Sequence, residues 1–167
     1  MGAGKSSVGR HLASVLQLQF YDSDAEIERR TGVDIPFIFE KEGEAGFRDR
    51  EREVIVSLSG MAGIVVATGG GAVLLPGNRA LLAQRGLVVY LKASIEQQLR
   101  RTRHDHHRPL LRTEDPEARL RELMELRAPL YESIAQITVQ TDGKQVRTVA
   151  QAIVEQLPQH NFKGPQE

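Results

Sequence analysis

The chain has 167 residues, no cysteine, no tryptophan, and 22 Lys plus Arg against 22 Asp plus Glu, which sum to a formal net charge of zero. That is the length of one domain, and 40% hydrophobic with 26% charged residues is an ordinary globular composition rather than a disordered one. Without cysteine there is no disulfide framework, thiolate nucleophile or Cys-bound metal; no apolar run approaches the ~20 residues of a membrane span, and the start MGAGKSSVGR lacks the apolar stretch of a signal peptide. A cytoplasmic protein is expected, and the neutral sum argues against a dedicated nucleic-acid binder.

Apolar periodicity places a helix over 5–16, where Val8, Leu12, Val15 and Leu16 share a face, and a short strand over 19–22. Ser23 with Glu26 reads as a capping box for a helix from Asp24 to Thr31, ended by Gly32. Pro36 opens a short helix to about Glu42, and a longer charged one follows from Glu44 to Leu58. Ile64 to Ala67 is a buried strand running into three glycines, and Leu87 to Leu91 is a second. Asn78 is read as the cap of a helix to about Arg85, and Ser94 with Gln97 as the cap of another to about Arg103. The span 102–115 is an exposed loop. A helix over Pro116 to about Arg127, a strand over Ile137 to Thr141 and a helix over Val146 to Leu157 close a single domain of residues 1–157, with 158–167 a flexible tail. Strands alternating with helices imply one parallel sheet with helices on both faces, and ligands then bind beyond the carboxyl ends of the strands.

The chemistry should follow those strand ends. Gly2, Gly4, Lys5 and Ser6 before a helix match the second half of a phosphate-binding loop: glycines admit phosphate oxygens to backbone N–H groups, the lysine meets the β and γ phosphates, and the hydroxyl holds Mg²⁺. The plain alternative is a flexible Gly-rich terminus. Counting back from Gly4 puts the motif's first glycine before Met1, so that glycine and the strand that launches the loop are expected upstream of an internal methionine. Asp22 and Asp24 flank Ser23 at the end of the first strand, where carboxylates could hold a metal-bound water and accept a hydroxyl proton, or merely favour a helix start.

Phe47, Arg48 and Glu51 form F-R-x-x-E on a helix charged enough to be a solvated face. Gly69, Gly70 and Gly71 follow a buried strand directly, where side chains would keep a ligand from the backbone. Arg100, Arg101, Arg103, His104, His106, His107, Arg108 and Arg112 surround one acid, Asp105, and such a concentration of charge suits a lid closing over phosphates; the histidines read as solvated surface rather than a metal site. Arg127, near Pro129, could simply complement a helix C-terminus.

Taken together, GAGKS, the D-S-D pair, F-R-x-x-E, the T-G-G-G of Thr68 to Gly71, R-P-L-L at Arg108 to Leu111 and R-A-P-L-Y at Arg127 to Tyr131 resemble shikimate kinase of the bacterial type, in the family's order and over almost the whole chain. The resemblance implies a three-layer P-loop kinase fold, with a parallel sheet of five strands in the family, and a mobile lid at about 102–115. It implies transfer of the γ-phosphoryl of MgATP to the 3-hydroxyl of shikimate. Gly2, Ala3, Gly4, Lys5, Ser6 and Ser7 would hold ATP, with Ser6 and Asp22 on Mg²⁺. Asp24 would bind and orient or deprotonate the acceptor hydroxyl. Arg48 and Arg127 would clamp the carboxylate beside Gly69, Gly70 and Gly71. Arg108 would close onto the phosphates, and Lys144 falls where the family has a residue beside the adenine. Catalysis would rest on Lys5, Asp24 and Arg108, in a monomer that meets neither nucleic acid nor membrane. Two other readings stand beside this one: another small P-loop kinase, such as a gluconate kinase, and a nucleotide-binding fragment without turnover.

Overall fold

The computed structural model describes residues 2–102 and 113–158. The chain enters through Gly4, whose φ of 87° suits a residue without Cβ, and turns directly into helix α1 (Lys5–Leu16). Strand β1 (Gln19–Asp22) follows, then α2 (Ser23–Thr31), α3 (Ile35–Ser59) and strand β2 (Ile64–Ala67). A 3-10 turn (Ala72–Leu74), α4 (Pro76–Arg85), β3 (Val89–Lys92) and α5 (Ile95–Thr102) come next. The described chain finishes with α6 (Pro116–Ile134), β4 (Ile137–Gln140) and α7 (Val146–Val154).

β1 pairs in parallel with β2, Asp22 lying opposite Ala67. Their ends are therefore in step, and the segments that leave them, Ser23–Asp24 and Thr68–Gly71, emerge side by side. β3 pairs in parallel with β4, Lys92 opposite Gln140. The single sheet expected from the alternating pattern is thus two two-stranded sheets among the described residues. Between them lies a largely apolar cavity of about 700 Å³ lined by Ile64–Ala67 of β2 and Val89–Leu91 of β3.

Two cores correspond to the two pairs. Val8 and Leu12 of α1 pack with Leu91, Ile137 and Val139 and with Val149, Ala150 and Ile153 of α7. Ile27, Ile35, Ile38, Phe47, Val54 and Leu58 of α2 and α3 form the other. A fully buried side chain of this size, such as Ile27 or Ile153, contributes about 1.5–3 kcal/mol through its removal from water.

Most elements stand where the pattern puts them, and the differences are informative. Asp22, not Ser23, caps α2: its Oδ1 accepts from the N–H groups of Asp24 at 3.0 Å and Ala25 at 3.5 Å. The two helices expected on either side of residue 43 are, by contrast, both present within α3, parted by a non-helical Gly43 with φ 71° and ψ −173°. Asn78 caps nothing; it is buried inside α4 and donates from Nδ2 to the Ala72 carbonyl at 3.1 Å. α6 does not stop at Arg127 but runs on through Pro129 to Ile134, with Asp115 as its cap. Most of the expected lid, Arg108 included, and nearly all of the tail lie outside the described residues. Among the described residues no helix is long and apolar enough to cross a membrane.

Candidate active site

The phosphate-loop end of α1 is built from backbone. Gly2 and Gly4 both take left-handed φ, 62° and 87°, so neither puts a side chain of its own at the N-terminus of α1. A helix start of this kind presents N–H groups and partial positive charge to an anion. Ala3 is buried in the core beneath the loop, while Lys5 and Ser6 are half-buried and Ser7 is exposed in the first turn. Ser6 Oγ donates to Asp22 Oδ2 at 2.6 Å, so the hydroxyl and carboxylate expected on the metal stand together. Asp22 thus serves two structures at once, capping α2 with one oxygen and meeting Ser6 with the other. Among the described residues no group of three or more His, Asp or Glu side chains gathers as a self-sufficient metal cage. One hydroxyl and one carboxylate suit a hydrated Mg²⁺, which takes few protein ligands and draws the rest from phosphates and water.

A second cluster surrounds the glycine turn after β2. A Cβ on Gly69 would stand 2.6 Å from Glu51 Oε1 and 2.7 Å from Asp24 Oδ1; one on Gly71 would collide with the Arg48 guanidinium. The glycines are therefore required by the close approach of two carboxylates and an arginine. Arg48 reaches this place by ion pairs at 2.7 Å with Glu51, which is fully buried, and with Glu44. Burial pushes the Glu51 carboxyl pKa up, Arg48 opposes that, and neighbouring Asp24 adds to it, with a net upward shift. For Arg48, burial is the largest single influence and lowers its pKa, but Glu51 and Glu44 together outweigh it.

Arg127 comes in from α6 and is 3% exposed. Its Nε is buried without a hydrogen-bond partner in the protein. Burial lowers its pKa, and the nearby positive charge of Arg48 lowers it further, with Tyr131 and Glu44 opposing. A guanidinium keeps its proton at any ordinary pH, so a buried N–H without an acceptor calls for an acidic or carbonyl oxygen from a ligand.

The structure therefore brings Asp24, Arg48, Gly69, Gly71 and Arg127 together, with Gly70 between the two close-packed glycines, and it joins Ser6 to Asp22. The surface-charge reading of F-R-x-x-E is corrected, since Glu51 is fully buried and Arg48 only 12% exposed at its side chain. So is the helix-terminus reading of Arg127, which sits inside α6. Lys144 lies exposed in the turn between β4 and α7, donating its backbone N–H to Thr141 at 3.3 Å.

Three features escaped the sequence reading. Glu51 is the buried counter-charge of Arg48, signalled only by its place in the motif. Arg101, counted among lid residues, stands on α5 and donates to the Gly2 carbonyl at 3.0 Å. Ser23, read as a helix cap, instead accepts the Gly69 N–H on its hydroxyl at 2.8 Å.

Known proteins resemble this chain in both sequence and fold. The sequence model of the shikimate kinase family matches residues 1–158. The shikimate kinase of Halorhodospira halophila is 60% identical over 157 residues, which cover 94% of this chain and 89% of that one. That of Thioalkalivibrio sulfidiphilus is 62% identical over 153 residues, 92% of this chain and 80% of the relative. Among solved structures, shikimate kinase from Acinetobacter baumannii in complex with shikimate superposes with a TM-score of 0.92 at 53% identity, covering 93% of this chain and 87% of that one.

Proposed function

The chain belongs to the shikimate kinase family, and from that premise we propose how its residues divide the work of moving the γ-phosphoryl of ATP to the 3-hydroxyl of shikimate. The observation that carries the proposal is the buried, unpartnered Nε of Arg127 beside the Arg48 guanidinium, at a turn already crowded by Asp24. Two arginines and a carboxylate around bare backbone suit a small molecule with a carboxylate at one end and hydroxyls at the other.

Arg48 and Arg127 receive the carboxylate of the acceptor, and the turn at Gly69, Gly70 and Gly71 lies against its ring. Asp24 then meets the hydroxyls and orients the one that attacks, accepting its proton as the new bond forms. Gly2, Ala3, Gly4, Lys5, Ser6 and Ser7 hold the phosphates of ATP, with Lys5 neutralising charge on the β and γ groups. Mg²⁺ would be held by Ser6 and, through water, by Asp22, and when bound it offsets charge on the phosphate oxygens. Arg108 approaches the phosphates from the lid, and Lys144 lies at the adenine end. Phosphoryl transfer needs little covalent chemistry from a protein, so this division into clamp, cradle and proton acceptor is sufficient in kind. The same reading takes the enzyme to be monomeric and cytoplasmic.

A coupled assay of ADP release tests it directly: release should require shikimate and a divalent cation together. Arg48→Ala should raise the KM for shikimate roughly thirtyfold or more, because truncating one partner of a buried ionic contact costs about 2–5 kcal/mol. The KM for ATP should stay within about a factor of two. Equal effects on both substrates would remove Arg48 from the acceptor site.

A further inference from the structure

Three consecutive glycines make a very flexible stretch of backbone, yet the proposed acceptor site depends on where that backbone points. Two side chains from different elements grip it. From α2, the fully buried Ser23 accepts the Gly69 N–H on Oγ at 2.8 Å. From α6, the Tyr131 hydroxyl donates to the Gly70 carbonyl in a short hydrogen bond. Tyr131 is itself held: its ring packs on that of Tyr90 with centroids 5.0 Å apart. It also lies one helical turn beyond Arg127 on the same face of α6, and the two groups interact electrostatically.

We propose that Ser23 and Tyr131 are positioning residues that fix the Gly69–Gly71 turn for the acceptor, Tyr131 tying it to the helix that carries Arg127. The inference rests on the acceptor-site reading above. Its physical basis is the planarity of the peptide unit. A C=O and the N–H of the same trans peptide point in opposite directions, so drawing the Gly70 carbonyl toward Tyr131 aims the Gly71 N–H away from it. Holding the Gly69 N–H on Ser23 likewise sets the Thr68 carbonyl. Two anchors on adjacent residues leave the turn little freedom, and Tyr131 makes the turn and the arginine move as one frame.

Tyr131→Phe and Ser23→Ala, singly and together, test this in the coupled assay with the full chain. Tyr131→Phe should raise the KM for shikimate roughly three- to tenfold, the worth of one hydrogen bond, with the KM for ATP unchanged. Its Tm should fall by only about 2–4 °C. Because both anchors act on one turn, the double variant should raise the KM for shikimate by less than the product of the single effects. Multiplying effects, a parallel rise in the KM for ATP, or an unchanged KM for shikimate in Tyr131→Phe would each overturn the inference. If the unaltered chain releases no ADP with shikimate, the functional reading fails and takes this inference with it. An active chain whose Tyr131→Phe variant matches it refutes the inference alone.

Discussion

At the start of α1, the groups that address an anion are backbone N–H groups beside two left-handed glycines, with Lys5 and Ser6 half-buried among them. Around Gly69–Gly71 they are long side chains, Arg48 and Arg127, buried and braced by Glu51, Glu44 and Tyr131. The first region spends little folding stability on its ligand, because its donors are the unsatisfied ends of a helix that exists anyway. The second must desolvate charges and hold them without the ligand, so its binding residues are also structural ones. Function and stability should therefore separate in the loop and remain entangled in the acceptor corner.

The sharpest test of that contrast is Lys5→Ala. Removing a preorganised charge at the transferred group should lower kcat by on the order of 10²–10³. Tm should fall by no more than about 2 °C, far less than on breaking a buried ion pair. A large fall in Tm would show that the loop is structural after all. Glu51→Ala makes the opposite prediction. It strands the Arg48 guanidinium, and loss of one partner from a buried pair costs about 3 kcal/mol, equivalent to roughly 6–12 °C in Tm. Differential scanning calorimetry would measure it, and an unshifted transition would mean that Arg48 finds other partners.

The smallest expected effect concerns Glu26, on α2 but outside both regions. Hydrogen bonds from Arg29 and Arg30 lower its pKa from 4.5 to about 2. The folded state thus holds this proton less tightly than the unfolded chain. The resulting stabilisation is complete above pH 4.5 and drains away as pH falls toward about 2. Glu26→Gln should flatten the pH dependence of Tm across that window and leave both KM values alone. A profile identical to that of the unaltered chain would deny the pair any role in acid stability.

What could be read from the sequence follows the same division. The phosphate loop is contiguous, and Gly2, Gly4, Lys5 and Ser6 declare it within a few residues. The acceptor corner draws Asp24, Arg48, Gly69 and Arg127 from four segments that only the fold unites. The two arginines are ordinary in isolation: Arg48 sits in an alternating run of charges, and Arg127 reads as a helix end because Pro129 follows. Local rules misjudged Ser23 and Asn78 for a related reason. Both are good caps, but tertiary contacts with the Gly69 N–H and the Ala72 carbonyl outcompete the local helix end. The strands were visible from their apolar runs, whereas their grouping into two pairs was not, because pairing is a property of segments far apart in the chain.

Pro129 now has a consequence beyond its failure to stop α6. It offers no N–H to the carbonyl of Glu125, so the helix ladder lacks the rung from residue 129 to residue 125, just before Tyr131. Both Glu125 and Pro129 are exposed, and water can satisfy the orphaned carbonyl at small cost. The last turns of α6 therefore depend less on helical cooperativity than on what Tyr131 touches, namely Gly70 and Tyr90. In the language of linkage, the ordering of that helix end and the ordering of the glycine turn are one equilibrium. A ligand that steadies the turn must also lower the frayed population of the helix that holds it.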